Sequence, residues 1–102
     1  MIKNIYELPA LPISEEHIAV LAETDSVRAE RIVSAGHTTG WLDQSETELV
    51  ILIEGNAVIE FENKKIELSR GDTLLIKPHE RHRVACTSAS PPCVWLCVFY
   101  DE

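Results

Sequence analysis

Basic residues are scarce in this chain: 9 lysines and arginines stand against 17 aspartates and glutamates in 102 residues, a formal net charge of -8. That deficit argues against a nucleic-acid backbone or an anionic membrane surface as a partner. No apolar run approaches the length needed to span a bilayer. The opening MIKNIYELPALPISEEH has one early lysine and no long apolar stretch, so it does not read as a secretory signal. Cysteine is limited to Cys86, Cys93 and Cys97, an odd set without a CxxC pair. All three fall in or near apolar, strand-like sequence, where a reduced cysteine behaves as a small hydrophobe, and structural disulfides are not expected. A glycine-rich phosphate loop is missing, as is any nucleophile motif around a Ser/His/Asp or Cys/His set. The expected setting is cytoplasmic.

What is present suits one globular domain over residues 1–102, with 45% apolar and 25% charged residues. Residues 1–13 carry two prolines and little periodicity, so they predict an arm. Ser14 then precedes EEHIAVLAE. A serine cap, two acidic residues in the first turn, and Ile18, Leu21 and Ala22 on one face predict a short helix ending at Asp25 and Ser26. His17 would lie on its surface. From residue 27 to about 100 the texture is that of strands. VRAERIVS alternates, LVILIE is a near-continuous apolar run, and AVIEFE alternates again. KIELS, TLLIK, RVACT and VWLCVFY follow. Gly55-Asn56, Asn63-Lys64, Gly71-Asp72, PHE and SASPP supply the turns. Short strands with a turn roughly every ten residues indicate an all-β antiparallel sandwich or barrel.

Two segments read together. ELVILIEG places six residues between Glu48 and Gly55, and GDTLLIKPHERHRV places Gly71 ahead of His82, with 15 residues between the two glycines. The pair resembles the two motifs of the cupin superfamily. The first is two histidines one residue apart, three or four residues, a glutamate, six residues and a glycine. The second is a glycine, five residues, a proline, one residue, a glycine, two residues and a histidine. The resemblance implies a double-stranded β-helix, or jelly-roll, barrel. WLDQ, ELVILIEG and HERHRV together look like a widespread group of small single-domain bacterial cupins. Both first-motif histidines are absent: a spacer of four puts their positions at Trp41 and Asp43, a spacer of three at Leu42 and Gln44. In the second motif Lys77 precedes Pro78, and His79 replaces the glycine. Glu48 and His82 alone match ligand positions of the family.

Alternate residues of a barrel strand point inward, so Glu48 shares a face with Val50 and Leu52, and His82 with Val84 and Cys86. A carboxylate and a neutral imidazole on adjacent strands suit one divalent ion, iron, manganese, nickel or zinc. Asp43 is a possible third ligand, Gln44 a weak fourth, and His37 a more distant donor. His79 is the candidate acid–base group, with a solvated turn as its plainer reading. Trp41, Val50, Val84 and Cys86 are the expected pocket walls, although tryptophan and cysteine also suit a core or an interface. Whether Asp43 or Gln44 points inward is open, because a one-residue slip of register exchanges them.

Three functional readings follow. One is a metal site acting on or sensing a small polar metabolite. Another is a metal-free pocket for a small-molecule ligand, with no catalytic activity. The last is a satisfied structural cluster without a ligand. Members of this family commonly pair through barrel faces or an added N-terminal strand, so a homodimer is expected.

Overall fold

The computed structural model describes residues 2–101. Eight strands account for the regular structure: β1 (His17–Glu23), β2 (Val27–Ser34), β3 (Thr47–Glu54), β4 (Ala57–Phe61), β5 (Lys64–Leu68), β6 (Thr73–Ile76), β7 (His82–Thr87) and β8 (Cys93–Tyr100). A five-stranded sheet runs in the order β1-β2-β8-β3-β6, and a three-stranded one in the order β5-β4-β7. Every pairing is antiparallel. The two sheets enclose one core. Val50, Leu52, Trp95 and Phe99 come from the larger sheet, and Ala57, Ile59 and Phe61 from the smaller. This is the jelly-roll arrangement that the motif resemblance implies, within the all-β class expected from the strand texture.

The expected short helix is not there. Residues 17–23 form an edge strand instead, paired with β2 from His17↔Val33 to Glu23↔Arg28. Asp25-Ser26, read as a helix stop, is the two-residue turn of that hairpin. The Thr24 amide donates to the Val27 carbonyl at 2.7 Å, and the Val27 amide donates to Thr24 Oγ1 at 3.1 Å. Isolated helices this short are marginal, and Ile18 and Val20 suit a pleated surface, so an available sheet edge overrides the serine cap and acidic first turn. A bulge between Val20 and Ala22 interrupts the strand's alternation.

The arm ahead of β1 lies against β2. Arg31, only 3% exposed, donates through Nη1 to the carbonyls of Ile5 at 3.0 Å and Glu7 at 2.8 Å. Between β2 and β3, residues 39–44 run beside β7 in extended form. Leu42 and His82 exchange both backbone hydrogen bonds, at 2.7 and 3.1 Å, and the Thr39 amide donates to the Val84 carbonyl at 3.0 Å. That run brings the WLDQ stretch alongside His82.

Candidate functional site

The register sets which side chains enter the space between the sheets. On β3, Glu48, Val50 and Leu52 pair with Phe99, Cys97 and Trp95 of β8. On β7, His82 pairs with Phe61 and Val84 with Ile59. A cavity of about 220 Å³ lies there. Its walls are mostly apolar: Ile18, Ile32, Val50, Ile59, Val84 and Trp95 among them. Its polar groups are Glu16, Thr39, Gln44, Glu48 and His82.

Glu48 and His82 are 7% and 2% exposed. His82 Nδ1 lies 2.8 Å from the Glu80 carbonyl oxygen. A carbonyl can only accept, so Nδ1 carries the proton. In the neutral ring the lone pair is therefore on Nε2, which stands 4.0 Å from Glu48 Oε1, within ionic reach but beyond hydrogen-bond length. Gln44 Nε2 donates to the same oxygen at 3.0 Å. Burial pushes the Glu48 carboxyl above its ordinary value, and the bonds from Gln44 and the Cys97 thiol pull the other way. Burial and the adjacent Glu48 carboxylate together hold the Cys97 thiol well above its ordinary value, so it stays protonated beside Glu48.

Of the four residues singled out as metal ligands, Gln44, Glu48 and His82 meet at the cavity. Asp43 turns away: its Oδ1 accepts from His79 Nδ1 at 2.7 Å, and both side chains are more than half exposed. His79 adopts a left-handed φ of 59°, and its amide donates to the Gln44 carbonyl at 2.7 Å. His37 is likewise elsewhere, with Nδ1 accepting from the Ala35 amide at 2.8 Å. Because Leu42 and Gln44 both line the cavity, the family's histidine positions correspond to these two residues and not to Trp41 and Asp43.

Val50 and Val84 are cavity walls, as expected, whereas Trp41 and Cys86 are not. Trp41 is 37% exposed, with the guanidinium carbons of Arg81 and Arg83 at 5.1 and 5.0 Å from its ring centre. Cys86 is exposed because β7 bulges: Val58 pairs with Cys86 but Ile59 pairs with Val84, leaving Ala85 as an extra residue. The bulge exchanges the two faces after Val84. Several other cavity residues, the titratable Cys97 and Glu16 among them, are not singled out by the sequence. Cys97 reads simply as a cysteine in an apolar strand and Glu16 as part of the expected helix, and only the β3–β8 and β1–β2 pairings reveal their positions.

The family's usual metal needs three or four strong ligands. Among the described residues no three histidine, cysteine, aspartate or glutamate side chains come together to hold an ion. Glu48 and His82 remain as a pair, so the residues present do not fit such a centre.

The family model for the cupin domain matches residues 30–99. A proposed mannose-6-phosphate isomerase from Ralstonia eutropha JMP134 is 32% identical, with 100% of this chain and 99% of that one covered and a TM-score of 0.93. A cupin superfamily protein from Desulfitobacterium hafniense DCB-2 is 20% identical, covering 92% and 84% of the two chains, with a TM-score of 0.81. A conserved protein from Streptococcus pyogenes is 13% identical over 100% and 88%, with a TM-score of 0.80; the last two likenesses concern the fold alone. No curated protein matches the chain. Among the described residues no helix is long and apolar enough to cross a membrane. With the eight-stranded frame, the placement of Glu48 and His82 and a family match over most of its length, the chain belongs to the cupin superfamily.

Proposed function

We propose that this cupin is a metal-free binding module for a small, largely apolar molecule carrying one polar head group. The observation that carries the reading is the cavity itself. Its walls are aliphatic and aromatic, and Gln44, Glu48 and His82 converge on one region of it. A few placed polar groups in an apolar hollow are the usual features of a small-molecule site. About 220 Å³ is below the range of drug-sized pockets, which points to a metabolite of modest size. A phosphorylated sugar, which the name of the Ralstonia relative suggests, is a poor match: among the described residues no lysine or arginine lines the cavity to receive a phosphate.

The test uses protein purified without an affinity tag. Elemental analysis should find no stoichiometric transition metal, and added manganese, iron, nickel or zinc should not raise the melting temperature. Near-stoichiometric metal that disappears in a Glu48→Ala, His82→Ala double variant would return the site to the metal-dependent reading. For binding itself, a library of small amphiphiles followed by amide and indole NMR shifts should cluster its effects on His82, Val84 and the Trp95 indole.

A further inference from the structure

The hydrogen-bonding groups of the cavity are unequally used. Its free donors are few and neutral: one Gln44 N–H serves Glu48, which leaves the second Gln44 N–H and the Thr39 hydroxyl, whose oxygen accepts from the Val84 amide. Its stronger acceptors are open. His82 Nε2 has no hydrogen-bond partner among the described residues, although the ring is 2% exposed and lines the cavity. Glu48 retains lone pairs beyond the one that Gln44 occupies. Glu16 contributes a second carboxylate, anchored from behind. The Trp95 indole N–H donates to Ser34 Oγ at 3.1 Å, and the Ser34 hydroxyl donates to Glu16 Oε2 at 3.1 Å. Glu16 Oε1 carries no hydrogen bond among the described residues.

The charge nearby has the same sign. On the inward face of β2, Arg28 is already bound to Glu30 and Glu46 at 2.9 and 3.2 Å. Two carboxylates therefore offset that one guanidinium, while among the described residues Glu16 and Glu48 have no cationic partner of their own unless His82 is protonated. The field reaches into the cavity: beyond the effect of burial, Glu48, Glu30 and Glu16 each push the Cys97 thiol upward. Trp95 and Phe99 also line the cavity, and the Arg28 guanidinium stands 4.4 Å from the Phe99 ring centre.

We propose that the cavity selects a small primary ammonium ligand with an apolar body, its N–H groups shared between Glu48 and His82 Nε2 while the Glu16 carboxylate adds negative charge to the same cavity, over neutral or anionic molecules of the same shape. This rests on the cavity being a binding site, as argued above, and it specifies the ligand class. An ammonium brings three donors and no acceptor, which complements the unused acceptors. A carboxylate or phosphate would meet like charge, with only the neutral Thr39 hydroxyl and the second Gln44 N–H to offset it.

Three isosteric probes test it: isobutylammonium, isobutanol and isobutyrate, titrated at pH 7 and followed by NMR shifts of the His82 and Val84 amides and the Trp95 indole. The ammonium should bind about tenfold or more tightly than the alcohol, the difference expected of one charge-assisted hydrogen bond, and isobutyrate should leave the spectrum unchanged. Both Glu48→Gln and Glu16→Gln should narrow the ammonium-to-alcohol ratio. That ratio is taken within each variant, whose folding the same spectrum reports, and Glu16→Gln alters no buried residue. If isobutanol or isobutyrate binds as tightly as the ammonium, the ligand class is overturned while the cavity still stands as a binding site. If no probe shifts the cavity resonances, both readings fail.

Discussion

Glu48 shows how much one buried side chain can impose. Burial raises its carboxyl above the ordinary 4.5, so the folded protein holds this proton more tightly than the unfolded chain does. The sign of the linkage follows. The folded state binds more protons between the unfolded and folded values, so stability falls as pH rises through that interval. Below 4.5 the penalty is absent; above the raised folded value it is fully present. Glu48→Gln removes the titration and keeps much of the shape. Its stability relative to wild type should therefore increase with pH across the interval above 4.5 and be level outside it. Urea unfolding of both proteins from pH 4 to 8 reads this directly. A constant offset at every pH would mean that Glu48 titrates as an ordinary surface carboxylate.

A second residue-scale prediction uses the bulge at Ala85. Val84 faces the cavity and Cys86 does not, although simple alternation puts them on one face. Val84→Phe should fill the hollow and abolish binding of isobutylammonium, while Cys86→Phe should leave its dissociation constant within about twofold, since a surface change away from the site has little effect. Equal loss in both variants would mean that the bulge does not separate their faces. This is also where the sequence was least legible. Glu48 and His82 could be picked out because motif spacing is local. The direction of Cys86 depends on a one-residue insertion that leaves no compositional trace, and the choice between Asp43 and Gln44 depended on the exchange of hydrogen bonds between Leu42 and His82.

At the scale of elements, hairpins were readable and the helix was not, for a common reason. Turns carry their own chemistry, whereas strand pairing is decided by distant sequence. Gly55 and Gly71 both sit at turns, with φ of 96° and 89°. At Gly55 a Cβ would also come within 2.8 Å of the Cys93 Cα, while at Gly71 it would meet nothing within 4 Å. Gly71→Ala should thus cost only the left-handed backbone penalty, about 1–2 kcal/mol. Gly55→Ala adds a clash with backbone that cannot swing aside, and should lose at least about twice as much. Chemical denaturation of the two variants under one condition compares them; equal losses would mean that the hairpin and β8 shift apart cheaply. The segment 17–23 gave no comparable local signal. Its cap and acidic turn favour a helix, and only β2, arriving after the turn at Asp25-Ser26, offers the backbone partners that make it a strand.

For the whole molecule, the outward face of the larger sheet and the net charge pull in opposite directions. Leu49 pairs with Leu75 on one side and Val98 on the other, and Ile51 pairs with Leu96. Leu75 is 47% exposed, and the other four are half-buried, so a continuous aliphatic patch remains on that face. A second copy of this chain, seated on the same patch by twofold symmetry, would cover it, since an isologous contact needs no other complementary surface. Each copy brings a formal charge of -8, and approach is therefore opposed by like-charge repulsion that salt screens. Sedimentation equilibrium should find a species of twice the chain mass, with a dissociation constant that falls as sodium chloride is raised from 20 to 200 mM. Leu96→Lys should yield a folded monomer, because it places a charge at the centre of the buried patch without disturbing the inward face. A monomer at every salt concentration, or a dimer indifferent to Leu96→Lys, would rule this face out as the contact. A dimer that weakens with added salt would mean that opposite charges, and not the aliphatic patch, hold the two copies together.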